Sequence, residues 1–117
     1  MGAHTLPRTR RIGPKSEIDR IFRRGHSFAG RILRVHILPN GRPESRLAIS
    51  APRKVGGAVQ RNRWKRLIRE AFRLNRNAIG PGFDLAVVPQ VSPDGVMRPD
   101  VEDALLSALA AYRRAKR

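Results

Sequence analysis

The sequence predicts a small α/β (α+β) two-layer sandwich, with a small central sheet and elements in the order α, β, β, α, β, α. Three observations carry this expectation. A chain of 117 residues with 40% apolar content is the size of one compact domain. The apolar period changes between 3.6 and 2 along the chain, marking helices and strands in turn. The predicted strands are short and interspersed with amphipathic helices, which bury one sheet face under a helical layer.

Each element has its own signal. Residues 1–13 show no periodicity and carry Arg8, Arg10 and Arg11, so a flexible basic arm is expected ahead of a single domain over residues 14–117. In "PKSEIDRIFRRG" Ser16 is the expected N-cap, with Asp19 three residues on as a weaker form of the capping box. Ile18, Ile21 and Phe22 then share a face, and Gly25 stops the helix. From Phe28 to Leu38 the period is two, with Leu33, Val35 and Ile37 on one side and Arg34 and His36 on the other. "PNGRPES" at 39–45 has the composition of a turn and "RLAISA" at 46–51 reads as a strand, so a hairpin is expected between the two. "PRKVGG" breaks that strand and leads into a helix expected over Ala58–Arg76, and "GPG" at 80–82 ends the unit. "FDLAVVP" at 83–89 reads as a strand buried on both faces and closed by Pro89. After "QVSPDGVMRP", Asp100 is the expected cap of a last helix whose Val101, Ala104, Leu105, Ala108, Leu109 and Tyr112 share a face.

Charge narrows the function. The chain holds 25 Lys and Arg against 9 Asp and Glu, a net +16. The excess is polarised: residues 1–82 hold 20 basic and 4 acidic side chains, while residues 83–117 hold 5 of each. Such a field repels itself in the folded protein, and its usual physical use is to neutralise phosphates and release their counterions. Nucleic acid is the expected partner. Cysteine is absent, which excludes disulfides and thiolate metal sites. The longest apolar runs, such as "LAVV" at 85–88, are far too short to span a bilayer. The opening "MGAHTLPRTRR" lacks the apolar region of a secretory signal, so a soluble cytoplasmic protein is expected.

The stretch "QRNRWKRLIREAFR", residues 60–73, sharpens the partner. It holds five Arg and one Lys in fourteen positions. On a helical wheel Leu67, Ile68, Ala71 and Phe72 fall within roughly 80° of Trp64, forming a core-facing stripe. Asn62, Lys65, Arg66, Arg69, Arg73 and Arg76 gather on an arc of about 100° well round from that stripe, while Arg61 and Arg63 lie on opposite flanks. An ordinary solvated face interleaves Glu with Lys at i,i+4; this one repels itself along its length. A membrane-surface helix would share the pattern, but the apolar side here is needed to cover the sheet. The preference for Arg over Lys suits structured RNA, since a planar guanidinium pairs bidentately with phosphate and stacks on bases.

At "RKVGGAVQRNRWKRLIREAFR", residues 53–73, the sequence closely resembles the bacterial ribonuclease P protein family. The resemblance rests on Lys54, Val55 and Gly56, then on Arg61, Asn62 and Arg63 opening a basic helix, then on Lys65, Arg66, Leu67, Ile68 and Arg69. "EIDRIFRRG", the strand after it, "RLAIS" and "GFDLAVVP" match the family in order and spacing over about residues 14–115. The resemblance implies a ribosomal protein S5 domain 2-like sandwich with a left-handed β-α-β crossover, where general rules favour the right-handed form. It implies a protein subunit that binds ribonuclease P RNA and precursor tRNA, with no protein oligomer required, and assists Mg²⁺-dependent removal of the 5′ leader. Two surfaces would do this. Arg53, Lys54, Arg61, Asn62, Arg63, Lys65, Arg66, Arg69 and Arg73 would meet the catalytic RNA. Ile18, Phe22, Arg34 and His36 would line a cleft holding the single-stranded leader. Ile18 and His36 stand where the family often carries aromatics, and Pro52 where a small polar residue is more usual.

Nothing in the residues suggests that the protein does the cutting. Phosphodiester hydrolysis by protein groups needs clustered carboxylates for two metals, or a paired His acid and base. His4, His26 and His36 are scattered, Asp94, Asp100, Glu102 and Asp103 lie at the balanced C-terminal end, and "VGGAVQR" lacks the Lys-Ser/Thr ending of a phosphate loop. No catalytic or metal-ligating residue is therefore assigned, and Mg²⁺ is expected mainly on the RNA partner. A basic ribosomal or RNA-chaperone protein is the alternative that shares this charge and size.

Overall fold

The computed structural model describes residues 10–116. Helix α1 (Lys15–Arg24) precedes strands β1 (His26–Ala29), β2 (Leu33–Pro39) and β3 (Arg46–Ile49). A 3-10 turn at Arg53–Val55 leads into α2 (Ala58–Leu74), then the single turn α3 (Arg76–Ile79), strand β4 (Phe83–Pro89) and helix α4 (Arg98–Ala115). The strands make one mixed sheet in the order β1-β2-β4-β3. Neighbours are antiparallel except β3 and β4, which run parallel with α2 crossing between them. The expected α+β sandwich is the observed architecture. Helices α2 and α4 form a full layer on one face, and α1 lies on the other.

Period-two alternation decides which layer each strand residue meets. Leu33, Val35, Ile37, Leu47, Leu85 and Val87 are buried with Trp64, Ile68, Phe72, Leu105 and Leu109 of α2 and α4. Each such side chain contributes about 1.5 to 3 kcal/mol by leaving water, so this larger cluster supplies most of the cohesion. On the opposite face Ala48 and Ala86 meet Ile21 of α1, together with Ile12 and the partly buried Ile18, Phe22 and Leu38. Trp64 is fully buried, and its indole N–H donates to the Val91 carbonyl at 2.9 Å, which fastens the loop after β4 to α2. Tyr112 makes edge contacts with His26, Phe28 and Phe83, closing α4 against the sheet.

One charged group is buried in the strands. Arg46 and Asp84 are direct partners in the β3–β4 register. The Arg46 guanidinium donates through Nε to Asp84 Oδ1 at 3.0 Å and through Nη2 to Oδ2 at 2.8 Å. The same Nη2 reaches Glu17 Oε1 on α1 at 2.8 Å, and Asn40 Nδ2 donates to Asp84 Oδ1 at 2.8 Å. The Asp84 hydrogen bond is the largest influence on Arg46; it outweighs desolvation and, with Glu17, pushes the guanidinium pKa up. Removing one partner of a buried pair costs about 3 to 5 kcal/mol, because the other is left uncompensated.

Several local expectations are corrected. The segment from Phe28 to Leu38 is two strands, because Gly30 turns the chain and its N–H donates to the Leu33 carbonyl at 2.8 Å. Residues 39–45 make no hairpin: β4, the most apolar strand, inserts between β2 and β3. The loop instead crosses its start, with the Asn40 N–H on the Gly82 carbonyl at 2.8 Å. Ser16 is not the cap of α1; the helix begins at Lys15 behind Pro14, without a side-chain cap, and Lys15 pairs with Asp19 at 3.2 Å instead. The basic helix stops at Leu74 rather than Arg76, since Asn75 Nδ2 turns back to the Ala71 carbonyl at 2.8 Å. Asp100 is three residues inside its expected place: α4 starts behind Met97, whose N–H donates to Asp100 Oδ2 at 2.9 Å. Of the expected N-terminal arm, residues 1–9 lie outside the described residues. Arg10 pairs with Glu44 at 2.8 Å, Arg11 bridges to Leu47, and the Ile12 N–H donates to the Leu47 carbonyl at 3.0 Å.

Gly25 ends α1 for reasons of space. Its φ of −72° suits any residue, but a Cβ there would sit 2.5 Å from the Ile21 carbonyl oxygen and 3.1 Å from that of Ile37. Gly25→Ala is expected to destabilise the protein by about 1 to 3 kcal/mol through overpacking. Urea unfolding checks this, and an unchanged midpoint would show that the α1–β2 junction has slack.

Candidate nucleic-acid interface

The apolar stripe of α2 sets where its charges go. Trp64, Ile68, Ala71 and Phe72 are buried, so Asn62, Arg63 and Arg66 are exposed and Lys65 and Arg69 are half-exposed beside them. Gly56 and Gly57 bring the chain into this helix. Gly56 has φ +136°, and a Cβ on it would meet Gln60 Cβ at 2.6 Å, so only glycine fits. The Gly57 N–H donates to Gln60 Oε1 at 3.0 Å, fixing the first turn. Just upstream, Arg53 and Lys54 are exposed on the 3-10 turn, and Lys54 Nζ donates to Gln90 Oε1 at 3.1 Å.

The flanking arginines have structural partners. Arg61 Nε donates to the Ala51 carbonyl at 3.0 Å, tying the exit of β3 to α2. Arg63 Nη2 reaches the Val96 carbonyl at 3.4 Å. Arg73 departs most from the outward-facing expectation. It is partly buried, its Nη2 donates to Glu70 Oε1 at 2.7 Å, and its Nε is buried without a hydrogen-bond partner.

On the other face of the sheet α1 packs against β2, where the leader cleft is expected. Phe22 and His36 meet edge to face with ring centroids 4.7 Å apart. Arg34 stands exposed on the same side of β2 as His36, with Nη1 donating to Ser27 Oγ at 2.8 Å. Burial first, and the Arg34 charge second, lower the His36 pKa below its ordinary 6.5. Its Nδ1 is buried without a partner. The lowered pKa favours the neutral ring near pH 7, a flat uncharged face beside Phe22.

Sequence reasoning did not reveal that the two surfaces join. A groove of about 200 Å³ is lined by Arg11, Ile12, Ile18, Ala48, Lys65 and Arg69, among others. Ile18 of the cleft thus shares a depression with Lys65 and Arg69 of the basic helix, across the β3 edge. Arg11 and Ile12 belong to the expected flexible basic arm, yet they dock here; the apolar Ile12 amid basic residues is the signal.

The family model described as Ribonuclease P matches residues 6–113. The chain belongs to the ribonuclease P protein family. A ribonuclease P protein component from Clostridioides difficile is 37% identical over 99 residues, covering 84% of this chain and 87% of that protein. The ribonuclease P protein of Thermotoga maritima has a similar structure, with TM-score 0.76 and 35% identity over 85% of this chain and 94% of the other. That of Staphylococcus aureus gives TM-score 0.75 and 31% identity over 88% and 94%. Membership in the ribonuclease P protein family makes the chain the protein subunit of an endoribonuclease of tRNA maturation, partnered by the ribonuclease P RNA. Among the described residues no helix is long and apolar enough to cross a membrane.

His36 gives the cleft a pH signature. Between its lowered folded-state pKa and 6.5, the unfolded chain binds more protons than the folded one. Its contribution to stability is therefore whole above about pH 6.5 and declines as pH falls until the folded-state value is passed. His36→Phe should remove this part of the decline. Denaturant unfolding between about pH 7.5 and 5 measures it, and an identical decline in the variant would contradict the burial of the imidazole.

Proposed function

We infer that the exposed arc of α2, with Arg53 and Lys54 beside it, grips the ribonuclease P RNA, and that the α1–β2 cleft holds the 5′ leader of precursor tRNA. The observation that supports this is a groove in which Ile18 of α1 meets Lys65 and Arg69 of the cationic helix, with the Phe22 and His36 rings paired on the same side of the sheet as Ile18. Asn62, Arg63, Lys65, Arg66 and Arg69 present charge to phosphates, each contact releasing counterions. Arg61 and Arg73 spend part of their hydrogen-bonding capacity inside the protein and contribute mainly positive field. In the cleft Phe22 and His36 offer ring surface, where one stacked base is worth about 1 to 3 kcal/mol. Ile18 adds apolar contact, and Arg34 adds a charge for the leader backbone.

Mg²⁺ belongs on the RNA partner in this reading. No group of three or more metal-ligating side chains converges among the described residues. Asp84 and Glu17 are taken up by Arg46, and Asp100 closes the first turn of α4. The protein would act by offsetting RNA repulsion, which favours metal binding by the RNA, and by positioning the leader for cleavage in the cytoplasm.

Reconstitution tests this directly. The protein, ribonuclease P RNA and precursor tRNA are combined at low Mg²⁺, and 5′ cleavage is followed. Cleavage stimulated only when protein and RNA are both present is the expected result. Cleavage by the protein alone would make it a self-sufficient nuclease, and no stimulation would leave a basic ribosomal or chaperone role.

A further inference from the structure

Glu17 is a carboxylate where RNA-facing chemistry does not ask for one. Arg46 is already matched bidentately by Asp84, so a second carboxylate is not needed to neutralise it. Its presence adds negative charge beside a surface that must attract a polyanion. What Glu17 does supply is direction, through a 2.8 Å charge-assisted hydrogen bond from α1 to a guanidinium locked in the sheet.

The helix needs that direction. Beneath Ile21, the one residue of α1 that is wholly buried, the sheet offers the small Ala48 and Ala86, and the larger Leu38 and His36 of β2 lie to the side. The first turn has no side-chain cap. At the other end Gly25 presses against the Ile37 backbone. The helix is thus tethered at Glu17 and at Gly25, and Ile18 and Phe22 lie between the tethers.

We propose that Glu17 is a positioning residue: through Arg46 it sets the height and rotation of α1 over the sheet, and so the spacing of Phe22 and His36 that receives the leader. This rests on the cleft reading given above.

The test uses holoenzyme reconstituted from the full chain and ribonuclease P RNA, with dissociation constants measured for precursor tRNA bearing a leader and for mature tRNA. Glu17→Ala removes a negative charge, so electrostatics alone would tighten leader binding. Positioning predicts the opposite: affinity for the leader-bearing substrate weaker by roughly three- to tenfold, a fraction of a base–aromatic stacking contact, with mature tRNA unaffected. Glu17→Gln keeps an oxygen that accepts from Arg46, and its loss should be smaller. In the free protein, NMR shifts of the His36 ring, which sense the Phe22 ring, should move in Glu17→Ala, while the Trp64 indole N–H on the far face stays in place. Tighter or unchanged leader binding, or equal loss on mature tRNA, would overturn the proposal. Phe22→Ala separates the two levels. If it weakens leader binding and Glu17→Ala does not, the positioning role alone falls; if Phe22→Ala has no effect on the leader, the cleft reading falls and takes the positioning role with it.

Discussion

Trp64, Ile68, Ala71 and Phe72 can leave water only by pressing one stripe of α2 against the sheet, and that requirement fixes the direction of the other side chains on the helix. A helix is rigid in rotation once one face is packed. With this stripe buried, Asn62 and Arg66 are directed outward. Mutual repulsion along the arc opposes folding, and the apolar contacts of the main core offset it. A polyanion laid on the arc relieves the same repulsion, so the binding surface is held ready without having to be assembled on contact.

The placement of β4 has a similar reach. As the strand buried on both faces it takes a central position, which makes β3 its parallel neighbour and sets Arg46 beside Asp84. That pair gives α1 a fixed point beside the small Ala48 and Ala86. The groove of Ile18, Lys65 and Arg69 then links α1 to the basic helix across the β3 edge. A recess of about 620 Å³ between the β1–β2 turn and α4 lies at the other edge of the sheet.

Much of this was legible in the residues, and the remainder was hidden for identifiable reasons. The stripe and arc of α2 follow from a period that local geometry enforces, so the wheel and the structure agree for Trp64, Ile68, Phe72, Asn62 and Arg66. Strand partners do not follow from local pattern: "PNGRPES" has the composition of a hairpin turn, and only the greater apolarity of "FDLAVVP" indicates that another strand comes between. The Arg46–Asp84–Glu17 group left a fainter mark, one Arg and one Asp of opposite sign inside two otherwise apolar strands. Arg61 and Arg73 show the limit of reading charge as exposure, since a long guanidinium can turn back to a carbonyl or a nearby Glu. Helix starts at Lys15 and Arg98 escape the pattern because a backbone N–H donates to whichever acceptor the turn brings near.

The central claim, that burial of the α2 stripe fixes a specific array of phosphate-binding cations, is tested most directly by the salt dependence of affinity for ribonuclease P RNA. Arg66→Ala and Arg69→Ala should each lower the log–log slope by about 0.7 to 0.9. Arg113→Ala, whose guanidinium in the wild type donates to the Ile79 carbonyl at 2.7 Å, should leave the slope unchanged. Slopes unchanged from the wild type for Arg66→Ala and Arg69→Ala would remove the array from the phosphate contacts, and an equal drop for Arg113→Ala would mean that net charge, rather than the array held by the buried stripe, binds the RNA.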